Sequence, residues 1–244
     1  MPSQARPKRP SRKPTTPSWR EVARLLDHTL LRPEATASQI AELCEEARHF
    51  RVAAVCVNPA HVALAATKLR RTSVAVATVV GFPLGASLST TKAFEAREAI
   101  RLGAAELDMV LNIGALKAGE RKLVRDDIRA VTRSAHAAGV LVKVILETVL
   151  LTEAEKALAC ELALEAGADF VKTSTGFGGG GATVADVALM RRIVGNRAGV
   201  KAAGGIRTAA DVVAMVEAGA SRIGTSSSAA ILRELGAPAR GKKA

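Results

Sequence analysis

Aromatic residues are scarce: tyrosine is absent, and five Phe and one Trp make up 2% of the 244 residues. So few ring faces exclude the stacking platforms on which single-stranded nucleic acid is held. Cysteine is scarce too. Cys44, Cys56 and Cys160 are odd in number and far apart, which argues against a disulfide framework and against a zinc site. Free thiols in a reducing cytoplasm are expected, and so is a cytoplasmic location. No apolar run reaches the roughly 18 residues of a membrane-spanning helix, so no membrane partner is expected. The basic N-terminus lacks the apolar stretch of a secretory signal.

Acids are outnumbered, 23 against 35 Lys and Arg, for a net charge of +12. The excess lies at the ends. Residues 1–17 carry Arg6, Lys8, Arg9, Arg12 and Lys13 with no acid, and residues 238–244 carry Arg240, Lys242 and Lys243. Removing these eight charges leaves +4 for residues 18–237. The proline-rich stretch 1–17 reads as a disordered, solvated tail, 238–244 as a short basic tail, and 18–237 as a single domain. No specific nucleic-acid partner is expected.

Within 18–237, continuous apolar runs of strand length alternate with helical spacing. The runs fall at about 26–30, 52–57, 74–80, 105–111, 140–147, 169–173, 199–203 and 221–225. Strands apolar on both faces belong to a parallel sheet covered by helices. Ser18 and Glu21 form a capping-box pattern that opens a short helix, and Ala37–Phe50 and Ala60–Arg70 read as longer helices. Gly103, Gly139, Gly167 and Gly219 each sit between a helical segment and an apolar run, as a helix-ending glycine does, and Gly199 reads similarly. The mean repeat is about 29 residues. The fold class is therefore α/β, a (β/α)8 TIM barrel preceded by a short N-terminal helix. A doubly wound open sheet is the alternative.

Charges inside these strands are the unusual feature. Alternation puts Glu106, Asp108 and Asn112 on one face of their strand, opposite Leu107, Met109 and Leu111. The helix-covered face must be apolar, so the charged face points into the barrel. The same reasoning turns Lys143 and Glu147, then Phe170 and Lys172, then Lys201, inward. At least three lysines and two carboxylates thus converge on one interior, most of them near the strand ends where barrel active sites lie. A buried lysine is either paired or chemically employed. Ion pairs in a core seldom outperform apolar packing, so a purely structural ionic layer is the weaker reading. Crowded ammonium groups lower a lysine's pKa, and an unperturbed lysine is neutral in only about one molecule in 2,500 at pH 7. A neutral amine is what a nucleophile requires.

Around Lys172 the segment runs strand, Thr173-Ser174-Thr175, then Gly176-Phe177 and four glycines to Gly181. Gly204-Gly205 follows the strand of Lys201, and Ser226-Ser227 follows the last strand. Such turns after strands seven and eight offer backbone N–H groups to a phosphate. His28, His49, His61 and His136 show no spacing that puts two of them on one face beside a carboxylate, so no metal site is expected.

Six motifs in this order resemble the deoxyribose-phosphate aldolase family of class I, Schiff-base aldolases. They are Leu26-Asp27-His28-Thr29-Leu30-Leu31-Arg32-Pro33, Val55-Cys56-Val57-Asn58-Pro59, Val80-Gly81-Phe82-Pro83-Leu84-Gly85, Glu106-Leu107-Asp108-Met109-Val110, Val171-Lys172-Thr173-Ser174-Thr175-Gly176-Phe177 and Val200-Lys201-Ala202-Ala203-Gly204-Gly205-Ile206-Arg207. The resemblance spans about residues 22–235. It implies a carbon–carbon lyase that reversibly cleaves 2-deoxy-D-ribose 5-phosphate to glyceraldehyde 3-phosphate and acetaldehyde, in deoxyribonucleoside breakdown. It implies no cofactor beyond a covalent lysine imine.

By the same resemblance Lys172 is the Schiff-base lysine. Lys201 lowers its pKa, and Asp108 joins Lys201 and a water in proton transfer. Asp27, Thr29 and Cys56 border the substrate pocket. From the turns they occupy, rather than from the resemblance, Gly204, Gly205, Ser226 and Ser227 are expected to bind the phosphorylated sugar, together with Thr175 and Gly176 after Lys172. Where some relatives have a further lysine this chain has Phe177, which shifts phosphate binding toward backbone N–H groups. A homo-oligomer, dimer or tetramer, is a possible assembly. Two other functions stay open on the residues alone: a phosphate-binding barrel isomerase with Asp108 or Glu147 as base, and a non-enzymatic nucleic-acid-binding protein.

Overall fold

The computed structural model describes residues 17–239. The expectations of tails over 1–17 and 238–244 therefore lie, but for Pro17, Pro238 and Ala239, outside the described residues.

The described chain opens with α1 (Trp19–Ala23), β1 (Leu26–Leu30), α2 (Ala37–Phe50), β2 (Ala54–Val57), α3 (Val62–Leu69), β3 (Ala75–Val80) and α4 (Ser89–Arg101). It continues with β4 (Glu106–Val110), α5 (Ile113–Lys117), α6 (Arg121–His136), β5 (Leu141–Ile145), α7 (Glu153–Glu165) and β6 (Phe170–Lys172). It closes with α8 (Val184–Val194), β7 (Gly199–Ala203), α9 (Ala209–Glu217), β8 (Arg222–Thr225) and α10 (Ser228–Glu234). Among the described residues, the eight strands pair in parallel in sequence order, and β1 returns to β8 through Leu26 opposite Ile223, closing a TIM barrel.

Local chemistry explains the helix starts. Ser18 accepts from the Glu21 N–H while the Glu21 carboxylate accepts from Ser18 N–H. The same reciprocal cap recurs at Thr36 with Gln39, at Thr152 with Glu155 and at Thr208 with Asp211. Gly103 and Gly219 follow their helices at φ 106° and 111°, a backbone region that side-chain-bearing residues avoid. Gly199 differs from that expectation. It lies inside β7, and a Cβ there would stand 2.1 Å from the Phe170 ring, so close packing is what demands glycine at this position. The expected helix over 60–70 begins as a 3-10 turn, Pro59–His61, before α3. Proline lacks an N–H and suits the first turn of a helix.

The outward residues of each strand, such as Val55, Leu107, Val144 and Val171, join the helices in one apolar core. The inward residues divide the barrel lumen. Ala54, Cys56, Ala77 and Val79, from β2 and β3, form a small apolar cluster. The remaining strands fill their side with ions. The inward direction read for Asn112 is not realised: it stands beyond the end of β4, and its side chain accepts from Ala115 N–H at 3.0 Å to cap α5.

Candidate active site

Four strands bring the central charges together. Asp108 on β4 receives Lys143 on Oδ1 at 2.8 Å, and Lys172 and Lys201 both on Oδ2 at 2.8 and 2.6 Å. Lys201 also donates to Asp27 Oδ2 from β1. Lys143 reaches Glu106 Oε2 at 2.6 Å and stands 3.9 Å from Asp27 Oδ2. Arg222 on β8 donates to Asp27 Oδ1 at 2.7 Å and to both oxygens of Glu106. The lumen thus holds more carboxylate than the strand pattern predicts, because Asp27 joins from β1.

Partner number then separates the lysines. Lys143 faces three carboxylates, Lys201 faces two, and Lys172 faces Asp108 alone. Burial disfavours the charged form of all three. For Lys201 the pair Asp108 and Asp27 outweighs burial and holds the amine above the ordinary lysine range. Asp108, with Asp27 and Glu106, does the same for Lys143. For Lys172 burial wins. With Asp108 opposing and the Lys201 ammonium assisting, its amine is held below the ordinary range. Crowding does not depress every lysine, as simple proximity suggests; burial prevails, with the Lys201 cation assisting, only at the lysine with the fewest anions. Against burial, Lys143, Lys172 and Lys201 hold Asp108 well below the usual carboxylate range. Lys201, Lys143 and Arg222 lower Asp27.

Lys172 is also the one lysine of the three that lines a cavity of about 710 Å³ at the C-terminal ends of the strands. Thr29, Thr175, Gly176, Gly204, Gly205 and Ser226 line it. Asp27, Asp108, Lys201 and Cys56 do not line it but lie fully buried beneath. Asp27 is accordingly part of the ion cluster rather than the pocket edge. Cys56 is an inert neighbour: burial, then the Asp108 charge, push its thiol up to about 11. Ser227 is set back from the cavity, and its N–H donates to Thr225 Oγ1 at 2.9 Å. Ser227 stands at the start of α10 without a side-chain cap, so neither serine is a conventional helix cap.

The glycine run after Lys172 has two duties. Gly178 and Gly181 are demanded by contact, since a Cβ would meet the Glu147 carboxyl at 2.7 Å or the Gly204 carbonyl oxygen at 2.5 Å. Gly176 and Gly179, like Gly205 in the turn after β7, have open space before them and turn at positive φ. Phe177, half exposed, meets Phe82 edge-on at 5.3 Å and lines the cavity.

Some residues of the site stand within the motifs and strands of the sequence without being given a role in it. Arg207 and Arg32 put cations on the cavity wall, from the loops after β7 and β1. Glu147 accepts from Thr175 Oγ1 and from Thr175 N–H, holding that residue in place beside Lys172. The parity of Arg222 with Gly224 on β8 was the available signal for Arg222 in the lumen. Among the described residues no group of three or more His, Cys, Asp and Glu is arranged to hold a metal ion, and no helix is long and apolar enough to cross a membrane.

Comparison with known proteins follows the same line. The model of the DeoC/LacD family aldolases matches residues 22–235. Deoxyribose-phosphate aldolase 1 of Bacillus licheniformis is 57% identical over 216 residues, 88% of this chain and 96% of that protein. Deoxyribose-phosphate aldolase of Thermococcus gammatolerans is 58% identical over 214 residues, 87% and 95% respectively. The tetrameric structure of deoxyribose phosphate aldolase from Aeropyrum pernix superposes with a TM-score of 0.84 at 33% identity, covering 90% of this chain and 92% of that one.

Proposed function

The chain belongs to the DeoC/LacD family of aldolases, and from that premise we propose how its own residues divide the work. The enzyme is a deoxyribose-phosphate aldolase. It cleaves 2-deoxy-D-ribose 5-phosphate reversibly to glyceraldehyde 3-phosphate and acetaldehyde through a lysine Schiff base.

The single observation that carries the assignment is that Lys172 alone among the three lumen lysines combines exposure to the cavity with a single carboxylate partner. Its neutral amine attacks the aldehyde carbon of the open-chain sugar, and loss of water gives the imine. The imine draws electrons as the C2–C3 bond breaks. The C3 hydroxyl passes its proton to the water held by Asp108 and Lys201, which later returns it to C2; glyceraldehyde 3-phosphate departs, and an enamine remains. Protonation at C2 and hydrolysis release acetaldehyde and return the free amine. Lys201 is charged at rest, adds to the burial that keeps Lys172 neutral, and with Asp108 orients the water that carries the proton. Asp108, bonded by all three lysines, is a poor free base, which disfavours the isomerase alternative that uses Asp108.

The phosphate sits against the Gly204-Gly205 turn and Ser226, with Thr175-Gly176 opposite and Arg207 supplying the cation. Ser227 contributes at most its backbone. The cysteines remain free thiols of a cytoplasmic enzyme, and the chain self-associates as a dimer or tetramer, in keeping with the tetramer of the Aeropyrum pernix relative.

Borohydride reduction in the presence of acetaldehyde, followed by peptide mapping, tests the assignment. The expected product carries the ethyl label on Lys172. Label on Lys201 with Lys172 intact reverses the roles, label on Lys143 overturns the site, and no label returns the isomerase reading. For the phosphate, Arg207→Gln should raise KM for the phosphorylated sugar about tenfold and leave that for 2-deoxyribose unchanged, in line with about 1.4 kcal/mol for a charge-assisted contact. Equal effects on both substrates put the phosphate elsewhere.

A further inference from the structure

The charges beneath Lys172 form a closed circuit. Arg222 donates to Asp27 at 2.7 Å, Asp27 accepts from Lys201, and Lys201 donates to Asp108 at 2.6 Å. Asp108 accepts from Lys143 at 2.8 Å, Lys143 reaches Glu106 at 2.6 Å, and Glu106 returns to Arg222 at 3.1 Å. Three cations alternate with three anions, so the circuit is neutral by itself. Lys172 hangs on it from outside through one contact, at Asp108 Oδ2.

We infer that Arg222, Glu106 and Lys143 are positioning residues that set the pH at which Lys172 becomes a nucleophile. By completing a neutral circuit they leave the Lys172 ammonium as the one unmatched charge of the lumen. The inference rests on Lys172 being the Schiff-base lysine, and it adds residues that never meet the substrate.

Among the described residues no carboxylate but Asp108 makes an ion pair with Lys172. Facing Lys172 are Asp108 from β4, Lys201 from β7 and the Cys56 thiol from β2. Asp27 from β1, Lys143 and Arg222 lie deeper, within the circuit. β3 contributes apolar side chains, Ala75, Ala77 and Val79. On the loop side, Glu147 is engaged with Thr175, and Arg207 and Arg32 at the cavity wall add positive charge. Glu42, Glu46 and His28 line the far wall, with His28 bonded to Glu46. The downward displacement of the Lys172 pKa agrees with this arrangement, although burial is its largest cause.

A circuit that merely braced the barrel would make every break equivalent. A circuit that sets charge parity makes them opposite in sign. Arg222→Met leaves a net negative set, which favours the Lys172 ammonium. Glu106→Gln leaves a net positive set, which disfavours it. The double variant Glu106→Gln/Arg222→Met is neutral again, with two anions and two cations.

The test is the pH midpoint of borohydride trapping with acetaldehyde, measured on the full chain. Arg222→Met should move the midpoint up by about one pH unit and Glu106→Gln should move it down by about one, the size expected of one charge acting through a partly screened interior. The double variant and the charge-conserving Arg222→Lys should trap within about 0.3 unit of the wild-type midpoint, inside the scale of such effects. Midpoints that stay at the wild-type value in folded single variants, or a double variant displaced as far as either single one, overturn the inference. If Arg222→Met does not fold, Glu106→Gln and the double variant still decide it. Absence of any adduct on wild-type Lys172 would instead refute the Schiff-base assignment, and the inference with it.

Discussion

Lys172 and Lys201 stand opposite each other across β6 and β7, and both donate to one oxygen, Asp108 Oδ2, at 2.8 and 2.6 Å. Two ammonium groups on one lone oxygen cannot be matched equally. Lys201 has Asp27 as a second anion and keeps its proton; Lys172 does not, and yields it. The unequal partnership of two chemically identical side chains is what lets one act as nucleophile and the other as proton carrier.

Removing each member should therefore leave a different signature. Lys172→Ala should form no reducible adduct and no product above background. Lys201→Leu removes a cation, so the pKa of Lys172 rises. Turnover at pH 7 should fall about 10²–10⁴-fold, the usual contribution of a positioned proton carrier, while trapping recovers as the pH is raised. Asp108→Asn removes an anion instead. Its trapping midpoint should move to lower pH although turnover also falls. A midpoint moving in the same direction for Lys201→Leu and Asp108→Asn would contradict the shared-oxygen account.

The ion cluster also makes stability depend on pH, with signs that can be worked out. Asp27 and Asp108 are depressed in the folded state, so their contribution is present above the unfolded carboxylate value near 3.9 and is lost as pH falls through the folded values below it. Lys143 and Lys201 are raised, so theirs is full below about 10.4 and is lost as pH climbs through the folded values above it. Lys172 runs the other way. Its folded form binds a proton less readily than the unfolded chain, which subtracts stability at neutral pH. Thermal melts should hold level from about pH 5 up to the folded value of Lys172 and then rise toward about pH 10 as its burden is relieved. Lys172→Met should raise Tm at pH 7 by about 2–4 °C, equivalent to about 1 kcal/mol, while abolishing activity. A fall in Tm would mean that the bond to Asp108 stabilises the fold more than the buried charge burdens it.

Gly199 should resist substitution for a steric reason. Gly199→Ala drives a methyl into the Phe170 ring, which lies under the Arg222 guanidinium at 5.7 Å. A loss of about 1–3 kcal/mol in urea unfolding is expected, typical of overpacking. Gly176→Ala meets no neighbour and carries only the strain of its positive φ, so its loss should be about 1–2 kcal/mol. Relief of the first variant, but not the second, by Phe170→Leu checks the cause.

The thiols should be silent in the folded enzyme. Burial, above all, pushes Cys44 and Cys56 up to about 11 and Cys160 up to about 12. Iodoacetamide at pH 7.5 should label none of the three within an hour, and all three in urea. Labelling of Cys56 in native protein would mean that the cavity opens farther toward β2 than the packed lumen allows.

Much of this enzyme is written in local pattern. Apolar runs spaced by helical stretches specify eight strands, because a strand buried on both faces admits nothing else, and Ser18 with Glu21 marks the first helix through its own hydrogen bonds. Strand parity alone turns Asp108, Lys143, Lys172 and Lys201 into one lumen, since alternation is a property of the backbone. The order of the lysines is not written there. It depends on Asp27 meeting Lys201 from 174 positions away and on Arg222 meeting Asp27 from 195 positions away. Closure of the barrel also buries Asp27 and Cys56 below the cavity, turns Ser227 back from it, and gives Gly199 a neighbour that requires its missing side chain. Periodicity reports which face a residue takes, whereas a pKa is set by which charges stand within a few ångströms, and those distances exist only once β1 has paired with β8.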